Sequence, residues 1–119
     1  MRELLGLEDA ISVNMVEHAP HEKNLGWEFV YDENNTDPVL NIQFLSEAYY
    51  KADDDYTGRT TVPALIDVQT GKVVNNDYNR LTNYFEVNFR EFHGENAPDL
   101  YPEELREEID KLNIWLFHN

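Results

Sequence analysis

The stretch Thr60 to Asp77, TTVPALIDVQTGKVVNND, constrains the fold more than any other part of the chain. It reads as a strand, Val62 to Val68, entered through Val62-Pro63, then a tight turn at Gln69-Thr70-Gly71 and a second strand, Lys72 to Val74. Asp77 follows in front of a helical pattern. Pro is tolerated at the start of a strand because its missing N–H is not yet needed by the ladder. A connection as short as the one through Gly71 returns the chain antiparallel, so the two strands are expected to form a hairpin.

The remaining elements fall in order around that hairpin. Arg2 to Leu7 reads as the last turns of a helix, because no Ser, Thr, Asp or Asn cap precedes it and Gly6 lies near its end. The chain is therefore expected to begin in mid-element. Ile11, Val13, Met15 and Val16 predict a strand, with Ser12 and Asn14 on its other face. A long loop is expected from His18 to Asn35, marked by Pro20, Gly26 and the Asp32-Glu33-Asn34-Asn35 cluster. Asp37-Pro38 is a helix-start pair, and Leu40, Phe44, Leu45 and Ala48 give a helix to about Lys51 one buried face. Asp77 is expected to cap a helix through about Phe92, with Leu81, Tyr84, Phe85 and Phe89 on a shared face. After a break at Gly94 to Pro98, YPEELREEIDKLNIWLFHN predicts a final helix. Its acidic residues lie near the N-terminus, where the helix dipole favours them, and Leu105, Ile109, Leu112 and Leu116 form one stripe. The alternation of helices and strands is that of an α/β chain.

Composition narrows what such a chain does. With 119 residues, 41% of them hydrophobic, one core is expected, in a single domain with room for the beginning of another. A formal net charge of -15 opposes phosphate backbones and anionic membrane surfaces, since affinity for both comes from cationic side chains. MRELLGLEDA has no secretory-signal pattern, and no run approaches the roughly 20 apolar residues of a membrane span, so a soluble cytoplasmic protein is the default expectation. Cys 0 excludes disulfides and thiolate catalysis by the chain's own residues. His18 and His21 lack a third ligand at a convincing spacing, and Asp53-Asp54-Asp55 lacks the further ligands and glycine of an EF-hand, so no metal site is expected.

The element order carries a resemblance. A thioredoxin fold runs strand, helix, strand, helix, strand, strand, helix, and the chain supplies all of this except the first strand and the start of the first helix. On that order GLEDAISV, Gly26-Trp27 with Phe29, YTGR followed by Val62-Pro63, TG with VNN, and DLYPEELREEIDKLN resemble the glutathionyl-hydroquinone reductases, the Xi class of glutathione transferases, over nearly the whole chain. The resemblance implies a thioredoxin-like glutathione-binding domain over residues 1–93, lacking its first strand and the family's Cys-Pro-Trp-Ala segment. It implies that residues 94–119 are a linker and the first helix of an all-α domain.

The same resemblance implies site residues. Val62 before Pro63 matches the family's Val-cis-Pro, whose outward-turned backbone pairs with the cysteinyl unit of glutathione; the residues alone equally allow a Pro that merely starts a strand. Asp77 matches the acid that receives the γ-glutamyl ammonium, at a helix N-terminus whose amides receive the γ-glutamyl carboxylate; alone it reads as a plain N-cap. The family pattern there is Asn-Asn-Glu-Ser, whereas this chain has Asn75-Asn76-Asp77-Tyr78. Trp27 matches a residue that shields the peptide, and Arg59 one that reaches a terminal carboxylate; alone they read as a loop anchor and a solvated charge.

Three functions follow as expectations. The first is a segment of a glutathione-dependent oxidoreductase or transferase, inactive by itself because the cysteine is absent. The second is a non-catalytic glutathione-binding or interaction module, and the third a truncated product without function. A homodimer or larger assembly is expected, made through strand edges left by the missing strand and through Leu112, Trp115, Leu116 and Phe117 of the last helix.

Overall fold

The computed structural model describes residues 1–18 and 26–118; Pro20 and His21 of the long loop lie outside the described residues. The chain divides into two compact units, residues 13–76 and residues 1–12 with 77–119.

In the 13–76 unit the hairpin forms as expected. Strands β3 (Leu65–Asp67) and β4 (Lys72–Asn75) pair antiparallel, with Ile66 opposite Val73 and Asp67 opposite Lys72. The Asp67 side chain builds the turn, accepting from the Gln69 N–H at 3.1 Å and the Thr70 hydroxyl at 3.0 Å. The Gly71 N–H closes on the Asp67 carbonyl at 2.7 Å, and Gly71 sits at φ 70°, a conformation that costs a residue with a Cβ. Helix α1 (Ser46–Ala52) packs on this hairpin. Ala48 is fully buried and joins Phe29 and Ile42 in the core, with Val16, Leu40, Ile66 and Val73 around them.

Two expected elements of this unit take another form. The helix predicted from Asp37 begins at Ser46. The buried Asp37 carboxylate accepts from the Val39 and Leu40 amides at 3.0 and 2.6 Å, and the Asn41 N–H bonds to the Asp37 carbonyl at 2.8 Å. Asn41 then adopts φ 56°, which ends the turn after one round. Residues 43–45 pair instead with residues 27–29, through Phe29 N–H to Gln43 O at 3.0 Å and Leu45 N–H to Trp27 O at 2.9 Å. The strand predicted over Ile11 to Val16 is not formed; among the described residues the first strand is β1 (Glu17–His18), antiparallel to β2 (Trp27–Glu28). Val13 and Met15 stay largely exposed. The Asn14 carboxamide donates to Asp32 and Asp37 and its oxygen accepts from the Met15 N–H, local bonds that compete with a ladder.

In the other unit, Arg2 to Leu7 ends as a helix ends. Gly6 takes φ 68°, its N–H bonds to Glu3 O at 3.1 Å, and the Leu7 N–H bonds to Arg2 O at 2.9 Å, the paired closure of a Schellman motif. Leu5 and Leu7 are fully buried. Helix α2 (Leu81–Val87) is shorter than the predicted Asp77-to-Phe92 helix: Arg80, not Asp77, stands at its start, and Asp77 to Arg80 is a turn closed by Arg80 N–H to Asp77 O at 3.0 Å. A 3-10 turn follows at Arg90–Phe92. Glu86 is 2% exposed and accepts from the Leu100 N–H at 3.0 Å, which ties the Gly94-to-Pro98 break to α2. Helix α3 (Arg106–His118) forms where expected, and none of its residues is buried. Among the described residues no helix is long and apolar enough to cross a membrane.

Candidate functional site

Four of the sequence-predicted residues, Trp27, Arg59, Val62 and Pro63, lie in the 13–76 unit. The Val62-Pro63 peptide is cis, as expected, and Val62 is 37% exposed directly ahead of β3. Two tyrosines hold the chain on its N-terminal side. Tyr49, buried in α1, donates its hydroxyl to the Thr61 carbonyl at 2.6 Å. Tyr56 donates to the Arg59 carbonyl at 2.8 Å, and the two rings stand 5.3 Å apart. Arg59 therefore has a fixed backbone and an exposed side chain. Trp27, half-buried on β2, meets His18 edge to face at 5.2 Å. Its neighbour Gly26 approaches the Thr60 side chain so closely that a Cβ would lie 3.0 Å from the hydroxyl oxygen.

Asp77 and Tyr78 belong to the other unit and are described within it. Asp77 is half-buried, and its carbonyl closes the turn to Arg80. Since α2 starts at Leu81, the expected capping position of Asp77 on that helix is not observed. Tyr78 is 51% exposed and meets Phe117 of α3 edge to face at 5.5 Å. Asp77 lies at the edge of a cleft of about 600 Å³ between α2 and α3, whose lining includes Asn79, Arg80, Tyr84, Tyr101 and Asp110. The Asn79 side-chain oxygen is buried there without a hydrogen-bond partner. Asp110 accepts the Tyr101 hydroxyl at 2.8 and 2.9 Å and the Asn83 carboxamide at 3.3 Å. The hydrogen bond to Asp110, with burial adding to it, pushes the Tyr101 phenol above its ordinary pKa.

Sequence reasoning passed over Tyr49 and Tyr56. Tyr49 was hidden by the apolar face of α1, where an aromatic residue reads as core; the signal for Tyr56 is Gly58 two residues later. A Cβ at position 58 would lie 2.6 Å from the Tyr56 hydroxyl oxygen, so a larger residue there would displace the Tyr56 ring. Among the described residues no three His, Cys, Asp or Glu side chains gather to hold a metal ion, and Asp53, Asp54 and Asp55 form an exposed turn after α1.

No family model matches the chain. The glutathionyl-hydroquinone reductase YqjG of Escherichia coli is 36% identical over 119 aligned positions, covering 98% of this chain and 35% of that protein. Its glutathione-bound structure matches with a TM-score of 0.80 over 98% of this chain and 38% of the solved one. A glutathione transferase from Gordonia bronchialis is 38% identical with a TM-score of 0.89, covering 98% of this chain and 36% of that chain. The Xi glutathione transferase of Phanerochaete chrysosporium is 37% identical with a TM-score of 0.81, covering 98% and 40%. The chain thus spans a little over a third of the length of the relatives it matches.

Proposed function

The chain belongs to the Xi class of glutathione transferases, the family of the glutathionyl-hydroquinone reductases, and from this we propose that it holds glutathione for such an oxidoreductase without supplying the nucleophile. Its fold is the matching part of a glutathione transferase, thioredoxin-like with one helix of the all-α portion. We assign residues 1–93 to the glutathione-binding domain and 94–119 to the linker and first helix of the helical domain.

The observation that carries the reading is the exposed Val62 peptide ahead of the β3–β4 hairpin, with the preceding backbone held on two sides. An extended tripeptide can add to such a backbone through paired N–H and C=O groups. In this reading Val62 and Pro63 meet the cysteinyl unit, Arg59 forms a charge-assisted bond to a terminal carboxylate, and Trp27 covers the peptide. Asp77 receives the γ-glutamyl ammonium, with Tyr78 beside it. In the whole reaction a thiolate attacks the glutathione sulfur of a glutathionyl-hydroquinone; the carbon–sulfur bond breaks, the ring carbon takes up a proton, and hydroquinone leaves. A second glutathione thiolate then resolves the mixed disulfide, releasing glutathione disulfide and the enzyme thiolate. With Cys 0, that enzyme thiolate is not among these residues. A reducing cytoplasm suits this chemistry.

Calorimetric titration with reduced glutathione tests the reading. Saturable binding in the millimolar range is expected, weakened by Arg59→Ala and by Asp77→Asn. Absence of saturable heat, or variants that bind like the parent, would overturn it. We also propose self-association through α3, where Leu112, Trp115, Leu116 and Phe117 are each about half exposed. Sedimentation equilibrium is expected to give a dimer or larger species; a compact monomer across the concentration range contradicts it.

A further inference from the structure

We infer that Tyr49 and Tyr56 are positioning residues for glutathione, a two-point clamp that fixes where the Val62 peptide stands. The inference rests on the proposed function, and it assigns a role to two side chains that do not themselves reach the ligand. The geometry is specific. Residues 59–61 lead into the exposed Val62-Pro63 peptide, and every second carbonyl of that lead is held by a phenol: Arg59 by Tyr56 at 2.8 Å and Thr61 by Tyr49 at 2.6 Å. The Thr61 carbonyl belongs to the peptide unit whose nitrogen is the Val62 amide, so the Tyr49 bond sets the plane of the N–H offered to an incoming backbone.

The clamp is anchored unequally. Tyr49 is 4% exposed on α1, so its hydroxyl is placed by the burial of its ring. Tyr56 is half-buried beyond the exposed aspartate turn and is placed by two contacts, the Tyr49 ring at 5.3 Å and the bare backbone of Gly58. A Cβ at position 58 would meet the Tyr56 Oη at 2.6 Å and Cζ at 2.8 Å, which makes Gly58 a requirement of the clamp. A peptide ligand that pairs with a single backbone unit gains most when that unit is held before it arrives, because the ordering is then not charged against binding.

The test uses the full chain and reduced glutathione in calorimetry, with Tyr49→Phe and Tyr56→Phe, which keep the rings and remove the hydroxyls. Each is expected to weaken binding about two- to tenfold, the range of one lost hydrogen bond, while Tyr50→Phe, an exposed neighbour on α1, leaves it unchanged. Gly58→Ala is expected to match Tyr56→Phe, and the double variant Gly58→Ala/Tyr56→Phe to lose no more than either single one, a coupling that a general loss of stability would not produce. Tyr49→Phe and Tyr56→Phe binding glutathione like the parent, or additive losses at 58 and 56, would overturn the inference. A parent that does not bind glutathione sinks the functional reading instead. The clamp is then judged without ligand: amide hydrogen exchange at Thr60, Thr61, Val62 and Ala64 is expected to rise about tenfold or more in each Phe variant, and unchanged exchange would refute it.

Discussion

Helices α1 and α3 teach opposite lessons about what an apolar stripe secures. Helix α1 has seven residues and buries Ser46, Ala48 and Tyr49, whereas α3 has thirteen and buries none. Both carry apolar residues at three- and four-residue spacing. The difference is the surface each meets within its own unit. Helix α1 lies on the β3–β4 hairpin, with Ile66 and Val73 against the Phe29-Ile42-Ala48 cluster. Helix α3 shares its unit with a seven-residue helix and an open cleft, and its neighbours reach it through Asn83, Tyr78 and Tyr101 rather than through a continuous apolar layer. A stripe specifies a helix; burial needs a second layer to receive it.

The contrast is sharpest in large-to-small substitutions. Phe29→Ala in the core of the 13–76 unit is expected to cost about 3–5 kcal/mol, and Leu112→Ala on α3, measured at concentrations below those of self-association, no more than about 0.5 kcal/mol. Denaturant unfolding followed by hydrogen exchange in each unit checks both, and equal costs would break the comparison. Of intermediate size is Glu86→Ala, which leaves the Leu100 amide without its acceptor and is expected to cost about 1–3 kcal/mol, read as faster exchange at Leu100. The smallest expected effect is on pH dependence. The Tyr101 phenol has its pKa raised by the bond to Asp110, so its contribution to folding is complete below the ordinary phenol pKa and is lost as pH rises through the raised folded value. Stability in the unit carrying α2 and α3 should therefore fall on the alkaline side, and Tyr101→Phe should flatten that fall. An unchanged alkaline slope would show that the bond to Asp110 contributes nothing.

Legibility in the sequence followed how local each signal is. The hairpin, with its turn at Gln69-Thr70-Gly71, was readable because Asp67 and Gly71 settle it within five residues. The helix end at Gly6 was readable for the same reason. The start of α1 was misread because Leu40, Phe44, Leu45 and Ala48 keep a helical spacing across a turn that Asn41 breaks at φ 56°, and apolar spacing carries no record of backbone handedness. The helix over Asp77 was overextended because an acidic residue four places early mimics a cap. At the site, the cis Val62-Pro63 peptide followed from the resemblance and not from spacing. The Tyr49 half of the clamp was illegible, since a phenol reaching a carbonyl twelve residues away leaves no local pattern; the Tyr56 half, three residues from its acceptor, left only Gly58 as a sign.

Amide NMR during titration with reduced glutathione tests the central claim most directly, because it reports each residue separately in both units. Localised, saturating shifts are expected around Val62 and around Asp77 at millimolar ligand, with the exposed face of α3 unmoved. No localised shift at either position at that concentration, or shifts confined to α3, would contradict it.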